Sequence, residues 1–287
     1  MPELPFLEVL AENLAAFVSG RRIEGIDIRQ PALLRRVEPT PASFEGEYLS
    51  LPVRVGKYLV FETESRRVII LHLMRLGRLM ITSSRASSRP TLPKNVSARF
   101  RFDDGSELRL VEHGTEKKAR LILAEDLDTV EELRRLGPDP LRGELTLERF
   151  TSATRAEARQ LKSFLIDPGA ISGIGNGLAD EILYEAHLSP LRRTDQIDDG
   201  ELARLHEAVG VVIERQLGFL RESAAGALPQ KEPVEHYTVH DHKGDPCPRC
   251  GTAIAWISYA DRDTFYCPGC QTGGVPLKDR RLSKLLK

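Results

Sequence analysis

Apolar residues recur at three- to four-residue spacing over positions 5–18, as Leu7, Leu10, Leu14, Phe17 and Val18. This spacing predicts an amphipathic helix with Pro5 in its first turn and Gly20 at its end. The period then shortens. Segments 53–62, 67–73, 79–82, 98–102, 107–111 and 119–123 are short and rich in Val, Ile, Leu and Phe. Several alternate, as in Arg99-Phe100-Arg101-Phe102, and Asp103-Asp104-Gly105 is a hairpin signal. The first half therefore reads as one helix plus an antiparallel sandwich or barrel.

Residues 83–93 form a polar Ser/Arg/Pro loop, and Leu136-Gly137-Pro138-Asp139-Pro140 is a cluster of breakers that predicts a domain boundary. Beyond it the helical period returns. Leu178, Ile182 and Leu183 mark one helix, and Leu205, Val209, Val212 and Ile213 mark a long one. Residues 223–239 read as a linker, and all four cysteines follow it.

Composition changes the picture little. The 287 residues predict about two domains, and 41% hydrophobic with 29% charged residues excludes a disordered chain. No apolar stretch approaches the ~20 residues of a membrane span. The opening Met-Pro-Glu has no basic or apolar leader, so the expected compartment is cytoplasmic. A net charge of −1 gives no sign of a nucleic-acid partner, but the distribution does. Arg66, Arg67, Arg75, Arg78, Arg85, Arg89, Lys94, Arg99 and Arg101 fall in a run without Asp or Glu, which is expected to attract polyanions. Residues 243–287 are net basic, and residues 125–144 are net acidic.

Cys247-Pro-Arg-Cys250, sixteen residues, then Cys267-Pro-Gly-Cys270 is zinc-ribbon spacing. All four thiolates are consumed, so the one Zn²⁺ is structural rather than catalytic. A dithiol redox pair would need a βαβ context that is missing here. Arg262 sits near the tip of a predicted ribbon hairpin, and read alone it pairs with Asp261 or Asp263. At the other end, removal of Met1 would leave Pro2 as a secondary amine, able to form an iminium at an aldehyde-level carbon, with Glu3 beside it as proton donor.

Taken together and in order, Met1-Pro-Glu-Leu-Pro5, Gly56-Lys57-Tyr58-Leu59, His72-Leu73, Leu161-Lys162 through Asp167, Ile171-Ser-Gly-Ile-Gly-Asn176 and the four-cysteine ribbon with Arg262 resemble the formamidopyrimidine-DNA glycosylase (MutM) and endonuclease VIII family. The resemblance implies an α+β multidomain chain. Residues 1–135 would be an N-terminal helix plus antiparallel β-sandwich, 140–235 a helical helix–two-turn–helix domain, and 236–287 a zinc ribbon. It implies a bifunctional glycosylase and abasic-site lyase acting as a monomer on double-stranded DNA that carries a damaged base or abasic site, away from membranes. Pro2 would be the nucleophile, Glu3 the proton donor, Lys57 a phosphate contact that takes part in elimination, and Arg262 a grip on phosphates flanking the lesion. Arg75, Lys162, Gly175 and Asn176 would contact DNA, with the glycine-bounded turn at a helix N-terminus.

Two departures stand out. The family's second glutamate is Phe6 here. Its Met and Arg-Phe wedge is replaced by Met74-Arg75-Leu76 and by Glu112-His113-Gly114-Thr115-Glu116-Lys117-Lys118. These departures keep a second reading open, a damaged-DNA binding protein on the same scaffold without base excision.

Overall fold

The computed structural model describes residues 1–83, 93–259 and 262–278, and two compact units divide them. The first comprises Met1–Arg135 with Leu220–Glu232, and the second Leu136–Phe219 with Pro233–Lys287. The polar loop read at 83–93, with Arg85 and Arg89, falls almost wholly outside the described residues, as do Asp261 and the basic end of the chain beyond Lys278.

The first unit opens with α1 (Leu4–Val18), whose Leu7, Leu10, Leu14 and Val18 are buried as the spacing predicts. Eight strands follow: β1 (Ile23–Ile28), β2 (Val53–Val55), β3 (Tyr58–Glu62), β4 (Val68–His72), β5 (Gly77–Thr82), β6 (Val96–Phe102), β7 (Glu107–Glu112) and β8 (Arg120–Ala124). They form two antiparallel four-stranded sheets, ordered β1-β6-β7-β5 and β2-β3-β4-β8, the sandwich of this unit. In β6, Ala98, Phe100 and Phe102 are buried while Arg99 and Arg101 turn to the other face, which is why that segment alternates. In β4, Val68, Ile69, Ile70 and Leu71 are all buried, so both faces are covered and the apolar run is unbroken. A short helix, α2 (Glu131–Arg134), precedes the boundary.

Segment 220–232, which the sequence groups with the helical domain, packs with the first unit instead. Polar contacts pin it there. Arg221 pairs with Glu12 at 2.6 Å, Asn13 Nδ2 donates to the Ala227 carbonyl at 2.7 Å, and Gln230 Nε2 donates to the Leu79 carbonyl at 3.0 Å.

The second unit contains α3 (Leu147–Ala156), α4 (Leu161–Leu165), α5 (Asn176–Glu185) and most of α6 (Asp199–Ala224), then the ribbon hairpin β9 (Ala255–Tyr259) and β10 (Arg262–Tyr266), and α7 (Pro268–Gln271). Two adjacent carboxylates of α5 tie the ribbon on. Glu181 accepts from the backbone N–H groups of Thr238, Val239 and His240 at 2.8, 2.8 and 3.0 Å. Asp180 accepts from His240 Nδ1 at 2.8 Å and the Phe265 N–H at 3.2 Å. Both carboxylates are buried, and each is satisfied by several donors, which offsets their desolvation. Tyr184, Val239, Cys247, Ile254, Phe265 and Cys267 complete a shared apolar core.

Candidate active site and nucleic-acid interface

In the first unit the sandwich and α1 bring the chain start to the β2–β3 hairpin. Val55 and Tyr58 pair directly, so Gly56-Lys57 is a two-residue turn. Gly56 has φ +57°, the left-handed value that the first position of such a turn favours in glycine. Beneath it, the fully buried Arg54 donates from Nε to Glu8 of α1 at 2.6 Å and from Nη1 to the Gly56 carbonyl at 3.1 Å. This ion pair fixes the Lys57 turn against the first helix.

Pro2 and Glu3 are both buried. Glu3 is the N-cap residue of α1, and its N–H donates to Glu232 Oε1 at 3.2 Å. Burial, then the neighbouring Glu3 charge, pushes the Glu232 carboxyl up to about 8, against the opposing pull of the N-terminal ammonium and Lys57. His72, at the end of β4, is held down to about 4 by burial, by the cations Arg120 and Lys57, and by the N-terminal ammonium. Its Nδ1 accepts from the Met74 N–H at 3.1 Å, which places the ring proton on Nε2. The ring packs edge-on against Tyr58, with centroids 4.8 Å apart. The amine end, Glu3, Lys57, His72 and Glu232 thus share one electrostatic neighbourhood. Phe6 is buried in the core at 1% exposure, so nothing at its position offers a carboxyl.

Arg75 is exposed on the turn after β4, where Met74 adopts φ +52°. The Leu76 carbonyl accepts the His113 N–H at 3.2 Å, so the two loops that carry the departures lie side by side. Glu112, 1% exposed, organises the second loop by accepting from Ser97 Oγ at 2.6 Å and from the Lys118 and Ala119 N–H groups at 2.8 Å each.

The acid-free basic run does not make one bare cationic face. Arg66 pairs with Asp126, Arg67 with Glu125 and Glu47, and Arg99 and Arg101 with Asp27. Acids outside the run pair with these four arginines, a pairing that a count along the chain does not detect.

In the second unit, Lys162 of α4 is buried and cannot be a surface phosphate contact as it stands. Its Nζ donates to Asp180 at 2.6 Å, to the Asp263 carbonyl at 2.8 Å and to Thr264 Oγ1 at 3.0 Å. Gly175 is the N-cap residue of α5, with no side-chain cap, and Gly173 before it has φ +87°. Asn176, the first residue of α5, donates from Nδ2 to the same Asp263 carbonyl at 2.7 Å. Lys162 and Asn176 thereby hold the start of β10 next to Arg262, which opens that strand opposite Tyr259. The Arg262 side chain is outside the described part of the structure. Sequence reading assigned no role to Glu232, and it presented His72 and Asp180-Glu181 only as parts of motifs, without a task for either. His72 carried a signal in its position at the end of an apolar strand, and Asp180-Glu181 in following the Gly-Ile-Gly-Asn176 turn.

The four cysteine Sγ atoms lie within 4.8 Å of one another. Neighbouring separations of 3.4, 3.5 and 3.8 Å compare with about 3.8 Å for the edge of a tetrahedron with 2.3 Å bonds. The donor set therefore fits one Zn²⁺. Gly269 is required there, because a Cβ would approach Cys250 Sγ to 2.9 Å and Thr252 Oγ1 to 2.7 Å. Four thiolates leave no position for a reacting water, so the metal is structural. Among the described residues no helix is long and apolar enough to cross a membrane.

Comparison with known proteins matches three families along the chain. They are the formamidopyrimidine-DNA glycosylase N-terminal domain over residues 1–115, the formamidopyrimidine-DNA glycosylase H2TH domain over 136–223, and the zinc finger found in FPG and IleRS over 244–273. The formamidopyrimidine-DNA glycosylase of Symbiobacterium thermophilum is 31% identical, over 98% of this chain and 93% of its own. Among solved structures, MutM (Fpg) from Thermus thermophilus superposes with TM-score 0.81 and 29% identity over 96% of this chain and 100% of its own. The LlFpg protein, solved with a THF-DNA and an inhibitor, superposes with TM-score 0.84 and 25% identity over 94% and 100%. The chain belongs to the formamidopyrimidine-DNA glycosylase family.

Proposed function

We propose that this protein is a base-excision-repair DNA glycosylase with abasic-site lyase activity, acting as a single chain on double-stranded DNA that holds a damaged base or an abasic site. The observation that carries the reading is the gathering of Pro2-Glu3, Lys57 and a neutral His72 around the start of the chain.

With Met1 removed, the Pro2 nitrogen attacks C1′ of the damaged nucleotide. The N–C1′ bond forms, the glycosidic bond breaks, and the base departs with the bonding pair and takes up a proton. Glu3 supplies a proton to O4′ as the sugar ring opens. Loss of the amine proton leaves an iminium; a base or water takes the C2′ proton, the C2′–H electrons form an enamine, and the enamine breaks the C3′–O bond to expel the 3′ phosphate by β-elimination. δ-Elimination then follows at the 5′ phosphate. Lys57 meets phosphate and assists elimination. In the second unit, the N-terminus of α5 at Gly175, Asn176, and Arg262 at the start of β10 contact the backbone, while Lys162 acts from beneath by holding β10. The target nucleotide is flipped out of the stack to reach Pro2.

The buried Phe6 and the lost wedge favour the second reading, a damage-binding protein. Borohydride trapping on abasic-site DNA separates the two. A covalent adduct that disappears in Pro2→Gly is expected, and no adduct with correctly processed protein overturns the enzyme.

A further inference from the structure

The returning segment 220–232 delivers a carboxyl, that of Glu232, to the start of the chain, where it takes no part in the steps at C1′. We propose that Glu232 is a positioning residue for the Pro2 amine, acting through its acceptance of the N–H of the Pro2–Glu3 peptide. It supplies the second acidic group that the chain lacks at Phe6. The inference rests on the reading of Pro2 as nucleophile.

Three observations carry it. The first is the hydrogen bond itself, from the Glu3 N–H to Glu232 Oε1 at 3.2 Å. It orients the peptide group adjoining the proline ring, from which the ring nitrogen is one rotatable bond away. The second is that the segment is held in place rather than loosely draped. Arg221 meets Glu12, Asn13 meets the Ala227 carbonyl, and Gln230 meets the Leu79 carbonyl. The third is the charge around the carboxyl. Glu3 faces it from the start of α1, the Met1 ammonium from the chain end, Lys57 from the β2–β3 turn, and Arg78 from β5.

Burial and the Glu3 charge keep the carboxyl protonated at neutral pH, with a value of about 8. In that form it offers a carbonyl oxygen to the Glu3 N–H without adding negative charge beside the amine. Ionised, it would hold the amine as an ammonium, whose nitrogen has no lone pair for C1′. Loss of the contact lets the nucleophile wander, and a misplacement of about 1 Å costs on the order of a hundredfold.

The test is single-turnover borohydride trapping on abasic-site duplex from pH 6 to 9.5, with wild type, Glu232→Ala and Glu232→Gln, each checked for folding by circular dichroism. Glu232→Ala is expected to trap about ten- to a hundredfold more slowly, with DNA affinity unchanged. Glu232→Gln, which keeps a neutral carbonyl acceptor, is expected to recover most of that loss at pH 7. It should also continue to rise above pH 8, where the wild-type rate flattens. Superimposable profiles for wild type and Glu232→Gln, or a Glu232→Ala rate equal to wild type, overturn the role of Glu232 while leaving Pro2 as nucleophile. Absence of any wild-type adduct overturns the Pro2 reading and this inference with it.

Discussion

Asn176 donates its side-chain amide to the backbone carbonyl of Asp263 at 2.7 Å, joining the first residue of α5 to the second residue of β10. The Asn176 Oδ1 atom is buried without a hydrogen-bond partner, so the side chain is committed to this bond on its donor side. Asn176→Ala is expected to cost about 1 kcal/mol in unfolding of the second unit, the usual worth of a neutral hydrogen bond. It should weaken abasic-site duplex binding about tenfold as β10 loosens beside Arg262. Asn176→Asp sets a carboxylate against the carbonyl and should bind more weakly still. Calorimetry and fluorescence anisotropy read the two effects.

Lys162 meets the same carbonyl from α4, and its pair with Asp180 is buried, with side-chain exposures of 7% and 0%. Removing one partner of such a pair leaves a buried charge and costs about 3–5 kcal/mol. Lys162→Met is expected in that range by denaturant unfolding, moderated by the donors His240 and Phe265 that Asp180 keeps. Lys162→Met/Asp180→Asn should recover part of it. Because Lys162 does not lie on the surface, its variant should leave the dependence of log K on log salt unchanged, whereas loss of a phosphate contact lowers that slope by about one.

These two residues mark where sequence reading stops. Lys162 and Asn176 were both identifiable by motif, and the motif assigned both to DNA. The buried partners of Lys162 come from Asp180, eighteen residues on, and from Asp263 and Thr264, a hundred residues on, and no local pattern encodes such pairing. The strands with strong apolar or alternating patterns, β3, β4, β6 and β8, were legible. β1 was not, since Ile23-Glu-Gly-Ile-Asp-Ile is interrupted by a glycine and shows only weak alternation. The ribbon was fully legible because a four-thiolate site fixes spacing by coordination chemistry. Glu232 was invisible, since a single glutamate in an apparent linker gives no sign that the chain turns back to its own beginning.

The ribbon's core includes two of the metal ligands, Cys247 and Cys267, so metal and packing are one structure. One Zn²⁺ per chain is expected by elemental analysis. Its removal with a strong chelator should unfold the ribbon, and with it the anchor for Arg262. The Tyr184 hydroxyl, 3.3 Å from Cys247 Sγ, gives a local probe through tyrosine fluorescence. DNA affinity should fall on chelation and return when Zn²⁺ is restored. An unchanged affinity in the metal-free protein would count against the ribbon as a DNA-contacting element.

Stability of the first unit should depend on pH through two groups of opposite sign. His72 is lowered from about 6.5 to about 4, so its unfolded form binds the extra proton and stability falls as pH drops through that window. Glu232 is raised from about 4.5 to about 8, so its folded form holds the extra proton and stability falls as pH rises through that window. The two oppose each other below about pH 6.5, and above it Glu232 acts alone. The melting temperature of Glu232→Gln minus that of wild type is therefore expected to widen between pH 6.5 and 8.5. A constant difference would mean that Glu232 ionises in that window as easily folded as unfolded.

Arg75 is the exposed residue on the turn where the resemblance leads one to expect a methionine wedge. The turn is rigid where it matters. Met74 is held at φ +52° with its N–H on His72 Nδ1, and the Leu76 carbonyl accepts from His113 on the neighbouring loop. A guanidinium offered from such a base can enter the space left by a flipped nucleotide and stack on its neighbours, at a cost in desolvation that an apolar wedge does not bear. The second loop, built on Glu112, has no Phe, Tyr or Trp to assist it. Lesion preference should accordingly differ from that of an enzyme with a Met and Phe wedge, and excision should depend on Arg75 more than strand cleavage does. Arg75→Ala is expected to lose at least about tenfold in base release across a panel of lesion duplexes. Cleavage at a preformed abasic site, which needs no base extrusion, should change by less than about threefold. Strong 8-oxoguanine excision that survives Arg75→Ala would exclude Arg75 as the wedge and leave Met74, half-buried behind it, as the side chain to substitute next.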